Sequence, residues 1–200
     1  MISSIRYGGF LLLCLTLCLA SAQAGTWSID NSASRLSFIS TKAGAMAEVH
    51  GFDQLSGTLR GDGQFELTID LDSVNTAIDI RDERMRDLLF DTARFPTASL
   101  EAQIDMAQVQ QIAVGQQGQV ATEARLNLHG REVDLTIQAE VARLDEGTLL
   151  VTSSQPIVVT AGQFDLLPGV DRLREIAGLS SISPAVPISF RLTLVQSSAD

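Results

Sequence analysis

The chain has 200 residues, 45% of them hydrophobic and only 5% aromatic, with 14 lysines and arginines against 24 aspartates and glutamates for a net charge of −10. That is enough chain for one domain with a proper core, and the sign of the charge argues against nucleic acid and anionic lipid surfaces as electrostatic partners. The two cysteines, Cys14 and Cys18, fall in a segment expected to be removed, so the mature chain is predicted to lack disulfides, sulfur redox chemistry and cysteine metal ligands.

Met1–Ala24 combine a basic residue at Arg6, an apolar run from Phe10 to Ala20 and the small-residue step Ala22-Gln23-Ala24, the layout of a secretory signal peptide. The apolar run is short against the ~20 residues of a membrane-spanning helix. Leu17 before Cys18 speaks against a lipid-modified cysteine. A single domain is therefore predicted over residues 25–200, secreted to the periplasm.

From Thr26 onward short alternating runs dominate. Leu36 and Phe38 oppose Ser37, and the stretch from Ala45 to Leu59 is broken by Gly51 and Gly57, which predicts bends or bulges in a curving sheet. Gly61-Asp62-Gly63 predicts a hairpin turn into a strand where Phe65, Leu67, Ile69 and Leu71 alternate with polar residues. After Ser73 the period changes. Met85, Leu88 and Leu89 fall at helical spacing among Arg81, Asp82, Glu83, Arg84, Arg86 and Asp87, which predicts a short amphipathic helix. Asn75 or Thr76 is expected to cap it and Asp82 to pair with Arg86 one turn on.

Pro96 forces Phe95 into an extended form, and Ala98, Leu100, Ala102 and Ile104 begin another strand. Gln110–Gln119 read as a polar loop. Val120, Ala124, Leu126 and Leu128 lead through His129-Gly130 into Val133, Leu135, Ile137, Ala139 and Val141, a long hairpin. Asp145-Glu146-Gly147 turns the chain into the run Leu149–Val159. A second insertion over Leu167–Ser180 is expected to hold one or two helical turns, ended near Gly178. Ile188, Phe190, Leu192 and Leu194 form a last strand able to close the sheet on an early one. About eight or nine antiparallel strands, each apolar on one face, predict an all-β barrel or sandwich with one or two short helical insertions.

Chemistry-bearing motifs are few. His50 and His129 each stand beside a glycine at a strand end, without an HExxH pattern or a carboxylate cluster. There is no GxSxG elbow, phosphate-binding loop or dinucleotide fingerprint. The expectation is a protein that is not an enzyme and has no metal and no cofactor. Arg81, Arg84 and Arg86 could receive a polar or anionic headgroup. The favoured reading is that they pair with Asp82, Glu83, Asp87 and Asp91 on a solvated face.

The order Asp72-Ser73-Val74-Asn75-Thr76, Arg81-Asp82, Met85-Arg86, Phe90-Asp91 and Phe95-Pro96 resembles the central signature of the YceI-like family of lipid- and polyisoprenoid-binding proteins. Trp27-Ser28-Ile29-Asp30, Arg35-Leu36-Ser37-Phe38, Gly51-Phe52 with Gly57-Thr58-Leu59, and Leu126-Asn127-Leu128-His129-Gly130 extend the match over the mature chain. The resemblance implies an extended lipocalin-like β-barrel, mainly antiparallel, whose lumen holds an isoprenoid or other long-chain lipid in a periplasmic carrier that makes at most transient membrane contact. Ligand-lining positions are then expected at Phe38, Leu67, Leu100, Leu135, Ile137 and Phe190, and a headgroup or rim contact at Arg81. Small residues at Ala98, Ala102, Ala124 and Ala139 favour an open lumen. At Ala161-Gly162-Gln163-Phe164-Asp165-Leu166 the chain departs from the arginine and Phe-Gly-Met step of the family, so its ligand is expected to differ. The alternative is a barrel with a packed core that docks a protein partner.

Overall fold

The structure is a computed structural model that describes residues 25–197; the leader expected over residues 1–24 lies outside the described residues. Twelve strands follow in order: β1 Trp27–Ile29, β2 Arg35–Lys42, β3 Met46–Phe52, β4 Leu55–Leu59, β5 Gln64–Asp70, β6 Val74–Asn75, β7 Thr97–Gln103, β8 Gln117–Leu128, β9 Arg131–Arg143, β10 Thr148–Ser153, β11 Ile157–Thr160 and β12 Ala185–Gln196. They form one antiparallel sheet in which β1 bonds both β4 and β12, closing the barrel.

Four breaks explain why twelve strands make a barrel of eight. A 3-10 turn at Asn31–Ala33 divides β1 from β2, and another at Leu71–Ser73 divides β5 from β6. Asp53-Gln54 part β3 from β4, and Ser154-Gln155-Pro156 part β10 from β11. The members of two broken pairs keep the same neighbour: β12 bonds β1 through its C-terminal end and β2 through its N-terminal half, and it also bonds both β10 and β11; β3 and β4 lie along β2 and β1, and β6 and β5 along β3 and β4. The runs Ala45–Leu59 and Leu149–Val159, each expected as one stretch, are thus two strands apiece.

Two glycine positions show the local logic. At the β8–β9 turn His129 and Gly130 both have positive φ, 54° and 74°, as a two-residue hairpin loop that matches strand twist requires. The strands it joins stay paired from Gln117↔Ala142 to Leu128↔Arg131. Gly57 sits where β4 approaches β5 so closely that a Cβ there would lie 2.2 Å from Glu66 O.

Helical pieces cover both barrel ends. At one end lies α1 (Asp79–Arg84), which runs on into a π-turn at Met85–Phe90. At the other lies α2 (Met106–Gln111), started by Asp105, whose side chain accepts from Ala107 N. The first end also carries the 3-10 turn Ala161–Phe164 and α3 (Leu167–Ile176). The helix α2 was not expected; it takes part of the predicted polar loop, and β7 stops at Gln103, one residue short of Ile104.

The first insertion differs from expectation in three further ways. Its cap is not Asn75 or Thr76: Ile78 precedes the helix without a side-chain cap, and Asp82 reaches back to accept from the N–H and the hydroxyl of Thr76. With Asp82 so engaged, no Asp82–Arg86 pair forms, and Arg86 donates to Asp72 O at 3.3 Å. The second half is wound i→i+5, which brings residues five apart to one face, so Met85 and Phe90 are buried while Leu88 is 37% exposed.

Candidate functional site

Alternation in every strand gives the barrel an apolar interior, and that interior is not filled. It encloses a cavity of about 240 Å³ whose lining is apolar except for Thr122 and Thr160. An apolar cavity of about 150 Å³ is already large enough to stay dry and take an aromatic ligand. Lining residues on β8 run from Val120 to Leu128, which at the strand rise is about 26 Å along the wall. The lumen is long, and the packed-core alternative does not describe it.

The six positions expected to line it, Phe38, Leu67, Leu100, Leu135, Ile137 and Phe190, all do so, from five different strands. They converge because strand pairing sets Leu67 opposite Leu100, and Leu135 and Ile137 share one face of β9. Ala98, Ala102 and Ala139 also reach the lumen, where their small side chains leave it wide; Ala124 is buried without lining it.

One end is shut. Val109 of α2 with Met106 and Ile112 packs against Trp27, Leu59, Leu149 and Leu194 in a buried cluster, and Val109, Leu59, Leu149 and Leu194 form the floor of the lumen. The opposite end is closed only by the helical insertions. Phe90 and Leu89 of the π-turn, Leu166 just before α3 and Val170 within it line the cavity, while Leu88, Leu167 and Ile176 turn 37%, 46% and 38% of their surface to solvent. The helix α3 buries none of its own residues completely. An aromatic row leads inward here, with ring centroids 5.5 Å apart for Phe38–Phe52 and 5.9 Å for Phe52–Phe90.

Arg81 stands at the rim of this helical end and does not line the cavity. Its Nε donates to Thr76 Oγ1 at 2.8 Å, Nη2 to Thr76 O at 2.7 Å and Nη1 to Glu48 Oε2 at 2.6 Å. Its carboxylate partner is thus Glu48 on β3, not any of the four acids expected near it in sequence. Lys42 Nζ donates to the same Glu48 oxygen at 2.8 Å. Hydrogen bonding from Lys42, with the charges of Arg81 and Lys42, holds the Glu48 carboxyl below the usual carboxylate range.

Sequence reading missed this rim cluster of Ser40, Lys42, Glu48 and His50, because only the β2–β3 register brings it together. His50 is buried, its Nε2 2.8 Å from Ser40 Oγ. His129 holds its hairpin: Nδ1 lies 3.2 Å from Phe164 O and the ring packs on Phe95 at 4.3 Å. In the departing segment, the Thr160 N–H and hydroxyl both donate to Gln163 Oε1, Phe164 is fully buried and Asp165 pairs with Arg131. Among the described residues no group of three or more His, Cys, Asp and Glu side chains is placed to hold a metal ion, and no helix is long and apolar enough to cross a membrane.

The family model of the YceI-like domain matches residues 27–194. A polyisoprenoid binding domain from Saccharophagus degradans, implicated in plant cell wall breakdown, is 39% identical with a TM-score of 0.83, over 86% of this chain and 98% of its own. BcnA from Burkholderia cenocepacia shares the fold at 16% identity and a TM-score of 0.61, over 82% of this chain and 98% of its own. A Campylobacter jejuni YceI protein does so at 13% identity and 0.55, over 75% and 85%. No curated protein sequence matches the chain.

Proposed function

We propose, from the premise that this chain belongs to the YceI-like domain family, that it is a non-catalytic carrier or sequestering protein for an apolar, isoprenoid-type lipid held in the barrel lumen. The observation that carries this reading is the apolar cavity of about 240 Å³ inside the barrel, one end of which only helical insertions cover. Transfer of a tail from water into such a lumen gains roughly 0.8 kcal/mol per buried CH₂, so a long tail binds tightly with few polar contacts. The 39% identity to a polyisoprenoid binding domain supports the choice of lipid class. Phe38, Leu67, Leu100, Leu135, Ile137 and Phe190 act as lining rather than as chemistry. The Met1–Ala24 leader directs the protein to the periplasm.

The test is mass spectrometry of mature protein purified from its native periplasm without detergent, run under native conditions and again after organic extraction. A stoichiometric isoprenoid lipid is expected, and a folded Leu135→Asp variant should retain none, because a carboxylate in the lumen wall would have to be desolvated against the tail. A ligand-free protein that also takes up neither quinones nor prenyl lipids overturns the reading.

A further inference from the structure

Between β9 and β11 the barrel wall has no ladder. The strand β9 pairs with β8 from Arg131 to Ala142, but with β10 only from Ala139 to Arg143. Past the Ser154-Gln155-Pro156 break the chain resumes as β11, which pairs with β12 alone. From Arg131 to Gln138 the outer edge of β9 thus has no strand beside it, over about 24 Å at the strand rise. The two-residue turn at His129-Gly130 makes Leu128 and Arg131 a bonded pair, so Glu132, Asp134 and Thr136 aim their backbone N–H and C=O groups into this seam. On the other bank Pro187 has no N–H to give; Ile157 and Val159 bond β12, and Val158 turns its backbone groups to the seam. All four side chains are exposed.

Lumen-lining residues stand on both banks, Leu135 and Ile137 on β9 and Ile157, Val159 and Thr160 on β11. Side chains rather than paired backbone therefore part the lumen from solvent here. The seam is pinned at its two ends. Ser154 N donates to Gln138 O at 2.9 Å where it begins. Toward the helical end His129 Nδ1 lies 3.2 Å from Phe164 O, and Arg131 Nε donates to Asp165 Oδ2 at 2.6 Å. Among the described residues no backbone hydrogen bond crosses between these pins. The Arg131 and Asp165 side chains are 58% and 57% exposed, so their pair opens easily. A bare strand edge also invites another strand, but Glu132 and Asp134 place charge along this one, which disfavours such pairing.

We propose, building on the carrier reading above, that the lipid tail enters and leaves the lumen sideways through the β9–β11 seam, with the Arg131–Asp165 pair as the latch at its helical end. Endwise entry would thread the tail between Phe90, Leu166 and Val170 and slide it the length of the lumen, its rear portion in water throughout. Sideways entry lays the tail along the wall at once and displaces side chains without breaking a ladder. The helix α3 starts two residues beyond Asp165, so its seating bears on the latch.

Both cysteines, Cys14 and Cys18, lie in the expected leader, so thiol pairs can be placed alone in the mature chain. Asp134→Cys with Val158→Cys bridges the seam, each four residues on from the Gln138–Ser154 contact. Leu88→Cys with Leu167→Cys bridges the lid, between exposed positions on the π-turn and α3. Each pair is joined by a short bis-maleimide in delipidated mature protein, and uptake and release of a dansyl-tagged geranylgeranyl chain are followed by stopped flow. The seam staple should slow both rates at least about tenfold and leave Kd within about twofold, because a route alters the barrier and neither end state. The lid staple should change neither rate by more than about twofold. Arg131→Ala, which needs no staple, should speed uptake and release together by about two- to fivefold, the factor an exposed ion pair is worth. Slowing by the lid staple with none from the seam staple, a seam staple that weakens equilibrium binding without slowing uptake, or an Arg131→Ala variant that speeds release alone overturns the proposal. Wild-type protein that takes up no probe overturns the carrier reading on which it rests.

Discussion

At His50, burial disfavours the imidazolium first, and Arg81 and then Lys42 repel it, against the opposing pull of Glu48 and Asp82. The net direction is downward from the ordinary value of about 6.5. Below that value the unfolded chain takes up a proton that the folded chain resists, so stability rises with pH across this window and is lost as pH falls. Glu48 acts in a second, lower window: its stabilising effect is present above the unfolded value of about 4.3 and disappears as pH drops through its lowered folded value. Thermal midpoints should be level from pH 8 to 7, fall between about 6.5 and 5, and fall again below about 4.3. His50→Gln, with no titrating ring, should remove the first fall and keep the second; a wild-type curve level between pH 7 and 5 rejects this assignment. None of this could be read from the sequence. The inward set from Phe38 to Phe190 was legible because alternation fixes which face a residue shares, whereas the Arg81–Glu48 pair spans 33 residues and depends on register.

Between elements, the contact that holds the lid is the approach of α3 to the π-turn at Gly169. A Cβ at this position would stand 2.6 Å from Leu88 O and 2.8 Å from Leu89 Cα, backbone atoms that cannot rotate away. Gly169→Ala therefore sets two effects against each other. Helix propensity favours alanine by about 0.8–1 kcal/mol, but overpacking against a fixed backbone typically costs about 1–3 kcal/mol. With two contacts below 3 Å the clash should win. The variant should lose about 1–2 kcal/mol in denaturant titration, exchange its amides faster over residues 166–176 and release ligand sooner, with β8 and β9 protected as before. Equal or greater stability would mean that α3 is not seated by this contact. The position of this insertion was visible in the spacing of Leu173, Ile176 and Ala177 ahead of Gly178; the π-turn was not, since Met85, Leu88 and Leu89 also suit an α-helix. Nor was α2 visible, because a single turn with Met106 and Val109 inward gives too short a pattern to separate from a loop.

For the molecule as a whole, the sequence leaves two questions open that only closure answers. Alternating strands suit a barrel and a sandwich alike, and an inward apolar face looks the same whether the lumen is filled or open; resemblance chose the barrel, and the β1–β12 pairing closes it. The open lumen carries a cost. At about 24 cal/mol per Å³ of cavity, 240 Å³ corresponds to roughly 6 kcal/mol of packing that the empty protein forgoes, a large share of the 5–15 kcal/mol typical of domain stability. Ala98 and Ala139 help maintain that space, so filling it should trade function for stability. Ala98→Leu with Ala139→Leu should raise the stability of the delipidated protein by about 1–2 kcal/mol while weakening uptake of a prenylated probe at least about tenfold, or about 1.4 kcal/mol. Wild-type protein should instead gain its stability from ligand, about 2.7 kcal/mol at a free concentration one hundred times the Kd. If the double variant is more stable and still binds, the cavity is filled without loss of the ligand and is not the binding site. If it is more stable and binding is lost, the space withheld from packing is the space the lipid occupies.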